Sequence, residues 1–142
     1  MADIKFDTGL KTFDINGRCQ ATFAPTDMAF IERIYDCLEA MDAMQNKYKE
    51  IADTSSNTEV FRIAREMDAE AREEINAVFG FDVCSPLFGE MSLFTIADGL
   101  PVWANFILAV VDTLEGDFAE QKKKTNPRIA KYTAKYTAKY KK

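Results

Sequence analysis

The sequence contains no histidine among its 142 residues. Histidine is the commonest general base near neutral pH, the usual base of serine and cysteine triads, and a frequent ligand of transition metals. Catalysis by carboxylates or lysine stays open. The absence nevertheless favours a protein that is not an enzyme and that needs neither a metal nor another cofactor.

Cysteine is scarce, and glycine-rich phosphate loops are missing. Cys19, Cys37 and Cys84 are odd in number and widely spaced, without a C-x-x-C pair. This usage is typical of thiols that fill a core in a reducing compartment. Neither G-x-G-x-x-G nor G-x-x-x-x-G-K-[ST] occurs, so the common nucleotide-binding motifs are absent from the sequence.

Long apolar runs are also missing. The longest run, 102–111, is interrupted by Asn105 and is too short to cross a bilayer. The first residues lack the apolar stretch of a secretory signal. We therefore expect a cytoplasmic protein with no membrane segment.

Acidic residues are absent from the last part of the chain. Residues 121–142 hold nine basic residues and no acidic one, whereas residues 1–120 hold nine basic and all 23 acidic residues, a formal charge of −14. We expect one globular domain over 1–120 and a basic arm, rich in lysine and tyrosine, over 121–142.

The alternation of apolar and polar residues predicts strands near 10–15 and 18–23. Asn16-Gly17 lies between them, and these two residues tolerate the positive φ of a type I′ hairpin turn. Ile4 and Phe6 predict a third strand before a turn at Gly9.

Apolar residues spaced three to four apart predict three long helices after the hairpin. The first begins at Pro25-Thr26-Asp27. Across a polar loop at 53–57, the second begins with a capping box of Ser56 and Glu59 and ends at Gly80, which makes an antiparallel helical hairpin. Residues 81–99 predict short helical turns. The third helix begins at 98–101 and is apolar on nearly all sides, so we expect it to be central. Asn126-Pro127 then separates it from an arm helix, for which Asn126 is the predicted cap. The predicted fold class is α+β.

Two acidic groups resemble sites but lack the necessary spacing. Glu66, Asp68, Glu70, Glu73 and Glu74 spread around the second helix, which predicts a solvated face supported by neighbouring arginines. The acidic residues around Gly116 lack the spacing of a calcium loop. We expect no metal site at either place.

The arm is the most unusual segment, because a Lys-Tyr pair recurs every four residues. On a helix each repeat turns only about 40° from the last, so the tyrosines form one ridge beside the lysines. Basic and aromatic side chains together are typical of nucleic-acid binding, but a body of charge −14 repels phosphate. We favour a disordered tail, or docking on the acidic body of this chain or of a neighbouring copy, over nucleic acid. The expected partner-binding residues are Lys122, Lys123, Lys124, Arg128, Lys131, Tyr132, Lys135, Tyr136, Lys139 and Tyr140.

Several segments together resemble one family. They are 13–17 (FDING), 23–33 (FAPTDMAFIER), the helical hairpin, the Phe88-Gly89 region and the Lys/Tyr-rich end. In these the chain resembles the tail assembly chaperones of siphophages and prophages of Gram-positive bacteria.

The resemblance implies a non-enzymatic role in the assembly of phage tails. Proteins of this family coat the aggregation-prone tape-measure protein and recruit tail-tube subunits. We also expect a homo-oligomer, because two short strands alone are marginally stable in water. The alternative is a nucleic-acid-binding accessory protein that acts through the basic arm.

Overall fold

The computed structural model describes residues 1–53, 56–124 and 127–140, with the side chains of the last helix described through Lys135. The elements, in chain order, are β1 (Lys11–Ile15), β2 (Cys19–Phe23), α1 (Met28–Asp53), α2 (Asn57–Phe79), α3 (Cys84–Phe88), β3 (Ile96–Ala97), β4 (Leu100–Pro101), α4 (Val102–Lys123) and α5 (Arg128–Tyr140). The α+β fold predicted from the sequence is confirmed.

The first hairpin has the predicted turn. Strands β1 and β2 pair antiparallel, with Phe13 opposite Ala21. Asn16 and Gly17 have φ values of 54° and 67°, as a type I′ turn requires. One face of the hairpin joins the helices, because the ring of Phe23 stacks on that of Phe30 at 4.4 Å between centroids.

The prediction of a third strand at Ile4 and Phe6 is wrong. Residues 1–10 are all described and contain no strand, and the side chains of Ile4 and Phe6 are exposed. Instead, Asp7 Oδ1 accepts a hydrogen bond from the Gly9 amide at 2.8 Å, and Gly9 has a φ of 80°. This local turn uses a backbone donor that a strand would need for pairing.

Helices α1 and α2 form the predicted antiparallel hairpin. Asp27 caps α1, since its Oδ1 accepts from the Ala29 amide at 3.0 Å. Gly80 ends α2 in the left-handed conformation and donates to the Asn76 carbonyl. The capping box of Ser56 and Glu59 is wrong: in the described chain the Ser56 side chain makes no capping bond, and its hydroxyl lies 3.2 Å from that of Thr58.

The segment between α2 and α4 contains one short helix, α3, as predicted, and a second hairpin that was not predicted. The turn of this hairpin is Asp98-Gly99, with φ values of 54° and 77°. Because the hairpin occupies residues 96–101, α4 begins at Val102 and not within 98–101.

Helix α4 buries one face in the core, as expected of the third helix, although its sequence is apolar on nearly all sides. Leu108 and Ala109 are exposed because α1 and the first hairpin cover just one face of the helix. An ion pair between Lys11 and Asp117 joins β1 to the second half of α4. The buried residues are Trp103, Ala104, Phe106, Ile107, Val110, Val111 and Leu114.

Candidate functional site

The predicted partner-binding residues of the arm are distributed over two helices. Lys122 and Lys123 lie in the last turn of α4, which runs past the charge boundary at 120, and Lys124 follows it. The remaining residues belong to α5, whose first turn includes a bond from the Lys131 amide to the Pro127 carbonyl at 2.9 Å. The predicted cap Asn126, and the side chains of Tyr136, Lys139 and Tyr140, lie outside the described residues.

The described side chains of α5 face water. Ile129 is 82% exposed and Tyr132 is 58% exposed. The guanidinium carbon of Arg128 lies 5.9 Å from the centroid of the Tyr132 ring, a cation–π distance. The helix therefore presents apolar and cationic groups side by side.

The acidic residues of α2 have two kinds of contact: some pair with other side chains, and Asp68 anchors the segment that follows α3 to α2. Glu66 pairs with Arg62 at 2.7 Å on the exposed face, as predicted. Glu70 Oε2 accepts a hydrogen bond from the Tyr48 hydroxyl at 2.7 Å, and this bond, with burial, raises the pKa of Tyr48 to about 12. Asp68 departs from the prediction of a solvated face, because its Oδ1 accepts from the Leu93 amide at 2.8 Å.

Arg72 and Asn76 continue this anchor along α2. The Arg72 guanidinium pairs with Asp68 at 3.0 Å and donates to the Gly89 and Met91 carbonyls at 2.7 and 2.8 Å. The Asn76 side-chain oxygen accepts from the Val83 and Cys84 amides at 3.0 and 3.1 Å. These polar groups are therefore structural: they fix the irregular segment against α2.

Two open clefts flank the first half of α2, and we call them the α2 clefts. The first, of about 450 Å³, lies against the end of α1 and includes Tyr48, Val60 and Met67. The second, of about 580 Å³, extends from Phe61 to Gly89. Ala64 lines both, and Phe61 is 71% exposed beside it. Phe61 lies off the apolar stripe of α2 and was not among the site residues predicted from the sequence. A large aromatic residue outside the buried stripe is the sequence signal that could have revealed this surface.

A third apolar depression, the α1–α4 groove, lies between the start of α1 and the second half of α4. It has a volume of about 230 Å³. Met28 and Tyr35 are 65% and 47% exposed there and lie off the buried stripe of α1. The lining residues are Met28, Ile31, Tyr35, Leu114, Glu115 and Phe118.

Two of the three thiols are buried in the core, as the sequence predicts. Burial, with the nearby Glu74 carboxylate, raises the pKa of Cys37 to about 11. Burial raises the pKa of Cys84 to about 12. With a raised pKa each group stays a protonated thiol near neutral pH. Neither is therefore activated as a nucleophile, because the thiolate is the reactive form.

Within the described ranges, no cluster of three or more histidine, cysteine, aspartate or glutamate side chains has a metal-binding arrangement. A search of the same residues finds no helix with the length and apolar character needed to cross a membrane. Comparisons of the chain with protein-family models, curated proteins and solved structures found no match.

Proposed function

We propose that this chain is a non-enzymatic tail assembly chaperone of the siphophage kind that its sequence resembles. In this role it coats the tape-measure protein and recruits tail-tube subunits in the cytoplasm of the host cell. The observation that carries the proposal is the pair of α2 clefts, which meet at Ala64 beside the exposed ring of Phe61.

The apolar part of the two clefts, around Ala64 and Phe61, suits a helical client. A helix docks by placing apolar side chains, spaced three to four residues apart, into a hydrophobic groove. The two clefts share Ala64. The first has a mainly apolar lining, whereas the second combines Phe61 and Ala64 with four charged side chains, those of Arg65, Asp68, Arg72 and Glu90. A client helix would therefore place its apolar anchors around Ala64 and Phe61. Met67 lines the first cleft, and its flexible thioether adapts to different client side chains.

The rest of the molecule suits a protein that acts in many copies. The body of charge −14 keeps such copies in solution at high concentration. Contiguous exposed apolar patches mark interaction surfaces, and Phe61 lines one cleft together with Ala64.

The test is co-expression with an aggregation-prone tape-measure fragment. The wild-type chain should keep the fragment in solution. Phe61→Asp should lose this action and weaken binding at least about tenfold, because a charge is placed where an aromatic anchor contacts the client. Phe81→Asp is the matched control, since Phe81 is also exposed but lies outside both clefts.

A fragment that stays insoluble beside folded wild-type protein would overturn the proposal, as would equal loss in Phe61→Asp and Phe81→Asp. The second candidate function, nucleic-acid binding, is favoured by the exposed Lys131, Tyr132 and Lys135 of α5. Tight binding of DNA or RNA at physiological salt that is lost in Tyr132→Ala would support it instead.

A further inference from the structure

We propose that the α1–α4 groove receives helix α5 of a second copy of this chain, so that copies assemble arm to groove. The inference goes beyond the chaperone proposal and does not depend on it. It rests on three observations: an uncovered apolar groove, an amphipathic helix of matching pattern, and complementary charge.

The groove has an apolar interior that a single chain leaves open. Leu114 is buried at its base, Ile31 and Phe118 are half-buried, and Met28 and Tyr35 are exposed at its α1 edge. Exposed apolar side chains gathered around a depression are typical of a docking surface.

Helix α5 carries a stripe that fits such a groove. Ile129 and Tyr132 are three residues apart and exposed, and the sequence continues the spacing with Tyr136 and Tyr140. Anchors at i, i+3 and i+7 are the pattern by which a helix lies in a hydrophobic groove. At about 100° per residue, Lys131 and Lys135 lie to one side of this stripe.

The charges of the two surfaces are complementary. Residues 28–46 of α1 hold four acidic residues and one basic residue, Arg33. Arg33 points toward α2, where its Nε donates to the Val78 carbonyl at 3.4 Å. At the α4 edge of the groove, Glu115 adds a carboxylate, and the ammonium of Lys122 lies 5.6 Å from the centroid of the Phe118 ring. Residues 128–140 hold four basic residues and no acidic one, so the arm meets a surface of opposite sign.

The occupant is a second copy because the single chain leaves both surfaces uncovered. The Ile129 and Tyr132 side chains of α5 and the Met28 side chain of the groove are all more than half exposed in the same chain. Pairing an arm with the groove of a neighbour buries the apolar side chains of both.

The first test measures self-association of the full chain by sedimentation at low and at high salt. Glu115→Lys in the groove and Ile129→Asp in the arm should each weaken association at least about tenfold, because each places an unfavourable charge in the contact. High salt should weaken the wild-type assembly, since the screening length falls from about 8 Å near physiological ionic strength to about 3 Å at 1 M salt.

Each variant has a control with the same change of charge. Glu73→Lys alters an exposed residue of α2, and Ala134→Asp alters the side of α5 away from the Ile129 stripe. Both should associate like the wild type. Circular dichroism of all four variants shows whether they fold. A wild-type chain that is monomeric at high micromolar concentration, or controls as impaired as the variants, would overturn the proposal.

The second test mixes the two impaired variants. Glu115→Lys keeps an intact arm and Ile129→Asp keeps an intact groove, so the mixture should form pairs that neither variant forms alone. An arm that occupies the groove of its own chain would give no restoration on mixing. Association through the edges of the first hairpin would leave both variants assembled. Either result would overturn the proposal.

Discussion

Gly17 and Gly116 are subject to opposite conformational demands. Gly17 has a φ of 67° in the turn of the first hairpin, a conformation that costs a residue with a Cβ about 1–2 kcal/mol. Gly116 lies inside α4, and apart from its neighbours and the backbone of this helix, no heavy atom of the described chain is within 4 Å of a Cβ added there. Glycine in a helix interior destabilises it by about 0.5–1 kcal/mol relative to alanine.

Alanine at the two positions should therefore change stability in opposite directions. We expect Gly17→Ala to lower the free energy of unfolding by about 1 kcal/mol and Gly116→Ala to raise it by about 0.5 kcal/mol. Urea denaturation measures both. A Gly17→Ala protein as stable as the wild type would contradict the type I′ turn.

The turns of the two hairpins show that a turn-forming residue pair predicts a hairpin only when the flanking strands are also recognisable. Asn16-Gly17 predicted its hairpin because five-residue strands with visible alternation flank it. Asp98-Gly99 makes the same pair of positive φ values, yet its strands are two residues long and show no alternation. Pro101 suggested a helix start, so the second hairpin was missed.

At the scale of elements, α2 supports the 82–93 segment through side chains four residues apart. Arg72→Met would remove the ion pair to Asp68 and both bonds to loop carbonyls. The Arg72 and Asp68 side chains are only 19% and 21% exposed. We expect a loss of about 2–3 kcal/mol in the free energy of unfolding, because the Asp68 carboxylate would remain half-buried without its cation.

The matched control is Arg62→Met, which removes the Arg62–Glu66 pair from an exposed part of α2. Its side chains are 55% and 53% exposed, so the loss should stay within about 0.5 kcal/mol. Urea denaturation compares the two variants, and amide hydrogen exchange should quicken over 89–93 in Arg72→Met alone. Equal losses would contradict the role of Arg72 as an anchor.

Sequence periodicity could predict the helices but not what each polar face contacts. Asp68, Arg72 and Asn76 share one face of α2, and charged residues at that spacing are typical of a solvated surface. Their partners are backbone groups of an irregular segment, which has no period of its own. The anchor is therefore visible only once the segment folds back on α2.

At the scale of the whole molecule, the acidic body and the basic arm have different roles: we expect the body to determine the stability of the fold and the arm to determine self-association. Deleting residues 125–142 should leave the melting temperature within roughly 2 °C of the wild type, because the described arm side chains are exposed and add nothing to the core. Self-association should fall, since the deletion removes α5. Calorimetry and sedimentation measure the two effects. A large fall in melting temperature would contradict this separation.

The sequence predicted this division but not the surfaces on the body. Met28 and Tyr35 lie off the stripe of α1, and nothing in their spacing shows that Leu114 and Phe118 pack beside them. The α1–α4 groove depends on how two helices distant in sequence cross, and hydrophobic spacing does not determine that.

The groove and the arm are different surfaces of one chain, so an arm-to-groove contact is heterologous and needs no two-fold axis. Each added copy would bring one new arm and one new groove. Growth would stop only where the rotation per copy closes a ring, and would otherwise continue as a helical filament. Either geometry would repeat Phe61 at regular intervals, so a long partner would be held by many weak contacts acting together.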